Sequence, residues 1–159
     1  MKKVFSVLMF LAVLFMMLPV SANYEGKRIA TQDIDSEKDF IVVDIDNQQI
    51  SMYLGGELLI SGPVVTGTAD TERETPRGVF SIRYKDYDVT LEGDGYSSFV
   101  NYWMPIYRGI GIHDADGWRD EYGGDIYKTN GSHGCINVPL YIAEIIYENT
   151  YEGMIVIVK

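Results

Sequence analysis

The chain has 159 residues, 47% of them hydrophobic and 23% charged, and a formal net charge of −10. That length suits one domain of ~100–200 residues, with a core that needs no metal or disulfide staple. The acidic excess excludes a surface that attracts phosphate backbones or anionic lipid, so nucleic acid is not an expected partner.

The chain opens on Met1-Lys2-Lys3, runs uncharged and apolar over residues 4–18, and then offers the small residues Ser21 and Ala22. This is the layout of a secretory signal peptide, read over residues 1–22. The apolar run is shorter than the ~20 residues of a spanning helix, although an uncleaved N-terminal anchor stays open as an alternative. Export is therefore expected, with no integral membrane domain after cleavage. No cysteine lies near the cleavage point, which argues against a lipoprotein anchor. Without these residues the balance is 11 basic against 23 acidic side chains, a net charge of about −12, which gives solubility and a mild attraction for cationic amines.

Residues 23–38 read as a polar lead-in, and residues 39–159 as the folded domain. The β-branched run at 40–46 predicts a strand, and 49–54 a second one. Gly55-Gly56 then forms a two-residue hairpin turn and residues 57–60 return. Strands follow at 63–67 and 79–84, separated by a polar loop at 68–74 and the segment Thr75-Pro76-Arg77-Gly78. Residues 85–98 show no clear period and read as a long loop, either a lid or a surface excursion. Two further strands are expected at 99–104 and 109–113. One helix follows Val138: Pro139 suits its first position, and Leu140, Ala143, Ile146 and Tyr147 share a face. A last strand covers 154–158. The fold class is mainly β, with sandwich-like mixed sheets and one helix after the cysteine loop.

Cys135 is the only cysteine, so it forms no internal disulfide; it is either a small core residue, half of an intermolecular bridge, or a reactive thiol. Its surroundings, Gly131-Ser132-His133-Gly134-Cys135-Ile136-Asn137-Val138-Pro139, favour the thiol. Backbone N–H groups and a helix start would favour the thiolate, as would a nearby imidazolium. Both histidines, His113 and His133, lie within 22 residues of it. His113 ends a strand and comes from another element, as general bases do in Cys–His enzymes; His133 is assigned a supporting role, structural or in the oxyanion region. The N–H groups of Gly134 and Cys135 are the expected oxyanion donors. A three-ligand zinc site of His113, His133 and Cys135 is the competing reading, but nothing supplies the remaining ligands, and no metal or cofactor is expected.

The segment Ser132-His133-Gly134-Cys135-Ile136-Asn137, with Gly111-Ile112-His113 upstream, resembles the catalytic signature of the L,D-transpeptidases. So do Ile41-Val42-Val43-Asp44 with Gln48 and Gln49, Gly55-Gly56-Glu57-Leu58, Pro63-Val64-Val65-Thr66-Gly67, and Thr75-Pro76-Arg77-Gly78-Val79-Phe80. The resemblance covers residues 39–159. It implies that Cys135 attacks the peptide bond between the third residue of a peptidoglycan tetrapeptide stem and its terminal D-alanine. The resulting thioester would then pass to a neighbouring stem's amine, giving a 3→3 cross-link. An L,D-carboxypeptidase using water instead, or a non-catalytic wall-binding module, are the alternatives. His113 matches the family's base, held by the backbone carbonyl of the next residue, here Asp114. Ser132, His133 and Gly134 complete the catalytic segment. Asn137 stands where many members carry arginine and is the other common choice. It is grouped with Tyr96, Trp103, Tyr107, Trp118 and Arg119 as substrate contacts, with Arg119 facing a donor carboxylate. Many relatives carry an extra wall-binding module, and this chain has no room for one; a monomer is expected.

Overall fold

The computed structural model describes residues 38–93 and 95–159. The leader read at residues 1–22 and most of the polar lead-in lie outside the described residues.

Among the described residues, nine strands form two sheets that share one core with two helices. The first sheet has the order β3-β2-β1-β9-β4 and the second β5-β6-β7-β8. Strands β1 (Phe40–Asp44), β2 (Gln49–Leu54) and β3 (Glu57–Pro63) are the expected meander of antiparallel hairpins. Each alternates: Ile41 and Val43, like Ile50 and Met52, are fully buried, while their neighbours face outward. That period of two is what places one strand face in a core. The C-terminal strand β9 (Ile155–Val158) inserts between β1, which it pairs in parallel, and β4 (Gly78–Ser81), which it pairs antiparallel.

In the second sheet, β5 (Asp86–Gly93) and β6 (Tyr96–Tyr107) form a long hairpin. The loop expected at 85–98 is thus a strand, a turn and the start of another strand. Its alternation was hidden because only Val89 and Leu91 are half-buried in a strand otherwise solvated on both faces. Strand β6 turns back through Arg108-Gly109 into β7 (Ile110–Asp114), and both turn residues have positive φ, 46° and 96°. Such a two-residue turn matches the twist of the strands it joins.

Helix α1 (Ile126–Asn130) is a short turn with no counterpart among the expected elements. Strand β8 (Ile136–Val138) pairs in parallel with β7 and separates Cys135 from helix α2 (Leu140–Asn149). Pro139 is therefore the N-cap residue of α2 and not its first turn; its φ of −55° fits but its ψ of 147° is extended. Ile142, Ala143 and Ile146 of α2 close the core against Met104, Ile112 and Ile136 of the second sheet. Burying side chains of this kind contributes roughly 1.5–3 kcal/mol each, enough to fix the register of β7 and β8. Their other face carries the site.

Candidate active site

Strands β7 and β8 align Ile112 with Ile136, His113 with Asn137 and Asp114 with Val138. Ile112, Ile136 and Val138 point into the core, so the strand period puts His113, Cys135 and Asn137 together on the opposite face. Cys135 lies one step before β8, beside Gly111, and His113 is two residues further along, about 6–7 Å in strand length. The pairing of two buried strands thus brings the cysteine and the first histidine together.

The turn that carries Cys135 is held by side chains. The Ser132 hydroxyl accepts the Gly134 N–H at 3.0 Å and donates to the Cys135 carbonyl at 2.5 Å. Gly134 has a φ of +115°, where an added Cβ would press on Ile110 at 3.3 Å, so glycine is required there. Segment 64–68 runs along the other side: Val65 exchanges both backbone hydrogen bonds with Asn137, and the Ser132 N–H donates to Thr66 O at 2.9 Å. Thr75 joins the two. Its buried hydroxyl accepts the Gly67 N–H and donates to Gly134 O, both at 2.8 Å. Gln48 supports the same segment from behind, with Nε2 on Thr66 Oγ1 at 2.8 Å and Oε1 accepting the Thr66 N–H at 3.0 Å. In the sequence Thr75 and Gln48 stand out only as positions that match the family pattern. A lone threonine hydroxyl bridging two distant loops leaves no local signal.

The Cys135 thiol donates to the carbonyl of Gly109, in the β6–β7 turn, at 3.7 Å. Burial raises its pKa from an ordinary 9.0 to about 11, against the opposing effect of a hydrogen bond from the Gly111 backbone. Strand β8 stands between the cysteine and α2, so the helix start does not adjoin the thiol, and desolvation favours its neutral form. His113 is buried, and burial likewise lowers its pKa below the usual 6.5, assisted by the charge of Arg119 and opposed by the carbonyl and carboxylate of Asp114. Both shifts favour the uncharged forms, a thiol and a neutral imidazole.

His113 Nδ1 lies 2.6 Å from the carbonyl of Asp114, as the resemblance implied. A peptide carbonyl only accepts, so Nδ1 carries the hydrogen and Nε2 presents a lone pair. Asn137 Nδ2 meets that lone pair at 3.1 Å. In this structure the Asn137 side chain is thus engaged with the imidazole. The Asp114 carboxylate is also fully buried. It accepts the backbone N–H groups of Asn101 and Tyr102 and the Asn101 amide at 2.8–2.9 Å, fastening β6 to the end of β7.

The remaining candidates divide. Trp103 and Trp118 flank His113, with ring centroids 5.7 and 6.2 Å away; Trp103 is buried and Trp118 is 45% exposed. Arg119 lies over Trp118, gives one N–H to Asn130 O at 3.1 Å, and leaves a buried Nε–H without a partner among the described residues. Tyr96 and His133 meet edge to face at 5.0 Å beside the cysteine turn. Because His133 turns to Tyr96, His113, His133 and Cys135 do not converge as a metal-ligand set. Tyr107 is not brought to this face; its ring packs on Phe80 at 5.4 Å beneath Arg108, after a register shift in β6 between Pro105 and Tyr107. The Gly134 N–H is already taken by Ser132, which leaves the Cys135 N–H as the donor of the expected oxyanion pair still without a partner in the turn. A depression of ≈ 350 Å³ lined by Phe40, Val42, Asp44, Gln49, Ser51, Tyr53 and Lys159 lies on the other sheet and includes none of these groups.

Comparison with known proteins supports the same reading. The sequence profile of the YkuD family, L,D-transpeptidase catalytic domain, matches residues 38–158. No curated protein matches this chain. The crystal structure of the Enterococcus faecium L,D-transpeptidase C442S mutant is 42% identical, with a TM-score of 0.72 over 77% of this chain and 50% of that one. This chain thus spans about half the length of that relative. The NMR structure of the catalytic domain from the E. faecium enzyme is 44% identical, with a TM-score of 0.69 over 77% of this chain and 98% of that one. An L,D-transpeptidase from Mycobacterium smegmatis is 26% identical, with a TM-score of 0.63 over 76% of this chain and 58% of that one. Since the profile spans the described domain, including the Cys135 turn and the strand of His113, the chain belongs to the L,D-transpeptidase catalytic domain family.

Proposed function

We propose that this protein is an exported peptidoglycan L,D-transpeptidase in which Cys135 is the nucleophile and His113 the general base. The observation that carries the proposal is the orientation of His113, whose Nδ1–H is fixed on Asp114 O at 2.6 Å so that the lone pair of Nε2, met by Asn137 Nδ2 in the resting state, lies on the face shared with Cys135.

The reaction follows from two neutral partners. As Sγ bonds to the carbonyl carbon of the stem's third residue, the thiol proton passes to His113 Nε2. The developing oxyanion takes the Cys135 N–H, a donor of the kind whose loss costs about 2.7–4 kcal/mol. Collapse breaks the C–N bond, and His113 returns the proton to the departing D-alanine amine. The acceptor amine then attacks the thioester, its proton goes to His113, the C–S bond breaks and the thiol is restored. Transfer of the proton during attack avoids a free thiolate, which the burial of Cys135 disfavours. No cofactor is needed, because the thioester retains the activation of the cleaved bond. The rings of Trp103 and Trp118 beside His113 support a role in limiting water there, and the buried Nε–H of Arg119, without a partner among the described residues, supports its assignment to a donor carboxylate. The basic, apolar and small-residue order over 1–22 supports export by a signal peptide.

The test is mass spectrometry of the protein incubated with a disaccharide-tetrapeptide, beside Cys135→Ala. A thioester adduct and cross-linked dimers in the wild type alone are expected. Tripeptide and free D-alanine without dimers would instead make it an L,D-carboxypeptidase, and binding without turnover a wall-binding module.

A further inference from the structure

Asn137 is 1% exposed, and its Oδ1 has no hydrogen-bond partner among the described residues although it is buried beside His113. A buried carbonyl left unpaired costs about 1–3 kcal/mol, and such an atom next to a base needs a reason. Its Nδ2 explains half of the arrangement, because it donates to the lone pair of His113 Nε2 at 3.1 Å. The other half follows from the charge change that the base must undergo. The single lone pair of Nε2 serves one donor at a time, so Nδ2–H must leave before the thiol can hand over its proton. Once Nε2 is protonated it becomes a donor, and Nδ2–H in its present place would oppose it donor to donor. A carboxamide has nearly the same shape after a half-turn about its last torsion, which exchanges its donor and its acceptor.

We propose that Asn137 is a positioning residue whose carboxamide reverses with the charge of His113, donating from Nδ2 to the neutral imidazole and accepting with Oδ1 from the imidazolium. The unpaired oxygen of the resting state is the acceptor held in reserve for the charged one. The device offsets part of the penalty that burial puts on the imidazolium, at the moment the thiol proton arrives. Its neighbours do not duplicate it. Asp114 on the same strand occupies Nδ1 through its carbonyl, and its carboxylate is committed to Asn101 and Tyr102. Arg119 on the following loop adds positive charge, β6 presents the indole of Trp103, and the turn before β8 presents the thiol of Cys135. The catalytic value of the device rests on the proposed role of His113 as base; the reversal itself does not.

The experiment is a titration of the His113 ring nitrogens by NMR in 15N-labelled full chain, for wild type, Asn137→Asp and Asn137→Leu. Aspartate only accepts, so it should raise the His113 pKa by about one to three units. Leucine removes the acceptor and should lower the pKa below wild type. In wild type, the coupling across the hydrogen bond between Asn137 Nδ2 and His113 Nε2 should be present above the midpoint and lost below it. Unchanged midpoints in folded variants, or a coupling that persists through the wild-type midpoint, would overturn the proposal. The coupling needs no variant, so it decides the matter even if a substitution unfolds the chain. A reversal observed in a protein that never acylates with tetrapeptide would uphold the switch and reject the transpeptidase reading.

Discussion

The hydroxyl of Thr75 donates to the carbonyl of Gly134 at 2.8 Å, across 59 positions of sequence, while accepting the N–H of Gly67 at the same distance. One buried oxygen thereby ties the cysteine turn to the segment beside it. Thr75→Val keeps the volume and leaves a buried carbonyl and a buried N–H unpaired, at about 1–3 kcal/mol each. Thermal or urea denaturation should show that loss, Thr75→Ser should recover most of it, and an unchanged midpoint in Thr75→Val would refute the bridging role.

Ser132 acts on the same turn from within. Ser132→Ala frees the Gly134 N–H and releases the Cys135 carbonyl from its 2.5 Å hydrogen bond. The turn should lose the geometry that presents the thiol, and acylation should slow by about 10²-fold, or about 2.7 kcal/mol in barrier. Stopped-flow acylation measures this, and a rate within threefold of wild type would show that the hydroxyl is dispensable.

Half-buried Cys135 and buried His113 set opposite pH limits on stability. The folded thiol keeps its proton up to about 11 while the unfolded one loses it near 9.0, so the folded state binds more protons and stability falls as pH rises through that window. Cys135→Ala should remove this part of the loss. The folded imidazole instead binds protons less readily than the unfolded one, so stability should fall as pH drops below about 6.5. His113→Gln should flatten that acid side, and denaturation midpoints across pH compare the variants directly.

Arg119 is a cause of the low His113 pKa that a substitution can remove. Arg119→Gln should raise the His113 midpoint in an NMR titration. Its KM for tetrapeptide should rise by roughly tenfold if the unpartnered Nε–H binds a donor carboxylate, in line with about 1.5–3 kcal/mol for a hydrogen bond to a charged group. A midpoint that stays fixed would remove Arg119 from the electrostatics of the base.

Gly67 marks how closely the two loops approach. An added Cβ would sit 1.9 Å from Arg73 O, 2.7 Å from Thr75 N and 2.9 Å from Gly134 Cα, all of them backbone atoms. Gly67→Ala should therefore cost at least the 1–3 kcal/mol typical of overpacking and slow acylation with it. Gly55→Ala, in an open turn with a φ of +55°, should carry only the backbone strain of its conformation.

The sequence by itself determined the elements whose signals are local. The alternation of Ile41 and Val43 against Ile50 and Met52, the Gly55-Gly56 turn, and the Ala143, Ile146 spacing specify a meander and a helix, because strand and helix periods are written in neighbouring residues, although Leu140, expected on the same helix face, is exposed and Ile142 is buried in its stead. The run from Ser132 to Asn137 marked the chemistry, since a lone cysteine beside glycine and histidine is a local pattern too. Only the tertiary structure decided what each site residue touches. Strand β8 came between Cys135 and the helix, and burial then made the thiol and the imidazole neutral, where a helix start would have favoured the thiolate. The parallel pairing of β7 with β8 gave Asn137 to His113, the register shift in β6 turned Tyr107 onto Phe80, and Tyr96 took His133. These partners are 24 to 37 positions apart or set by a one-residue slip. No window of sequence holds both ends of such a contact, and desolvation depends on everything packed around a group.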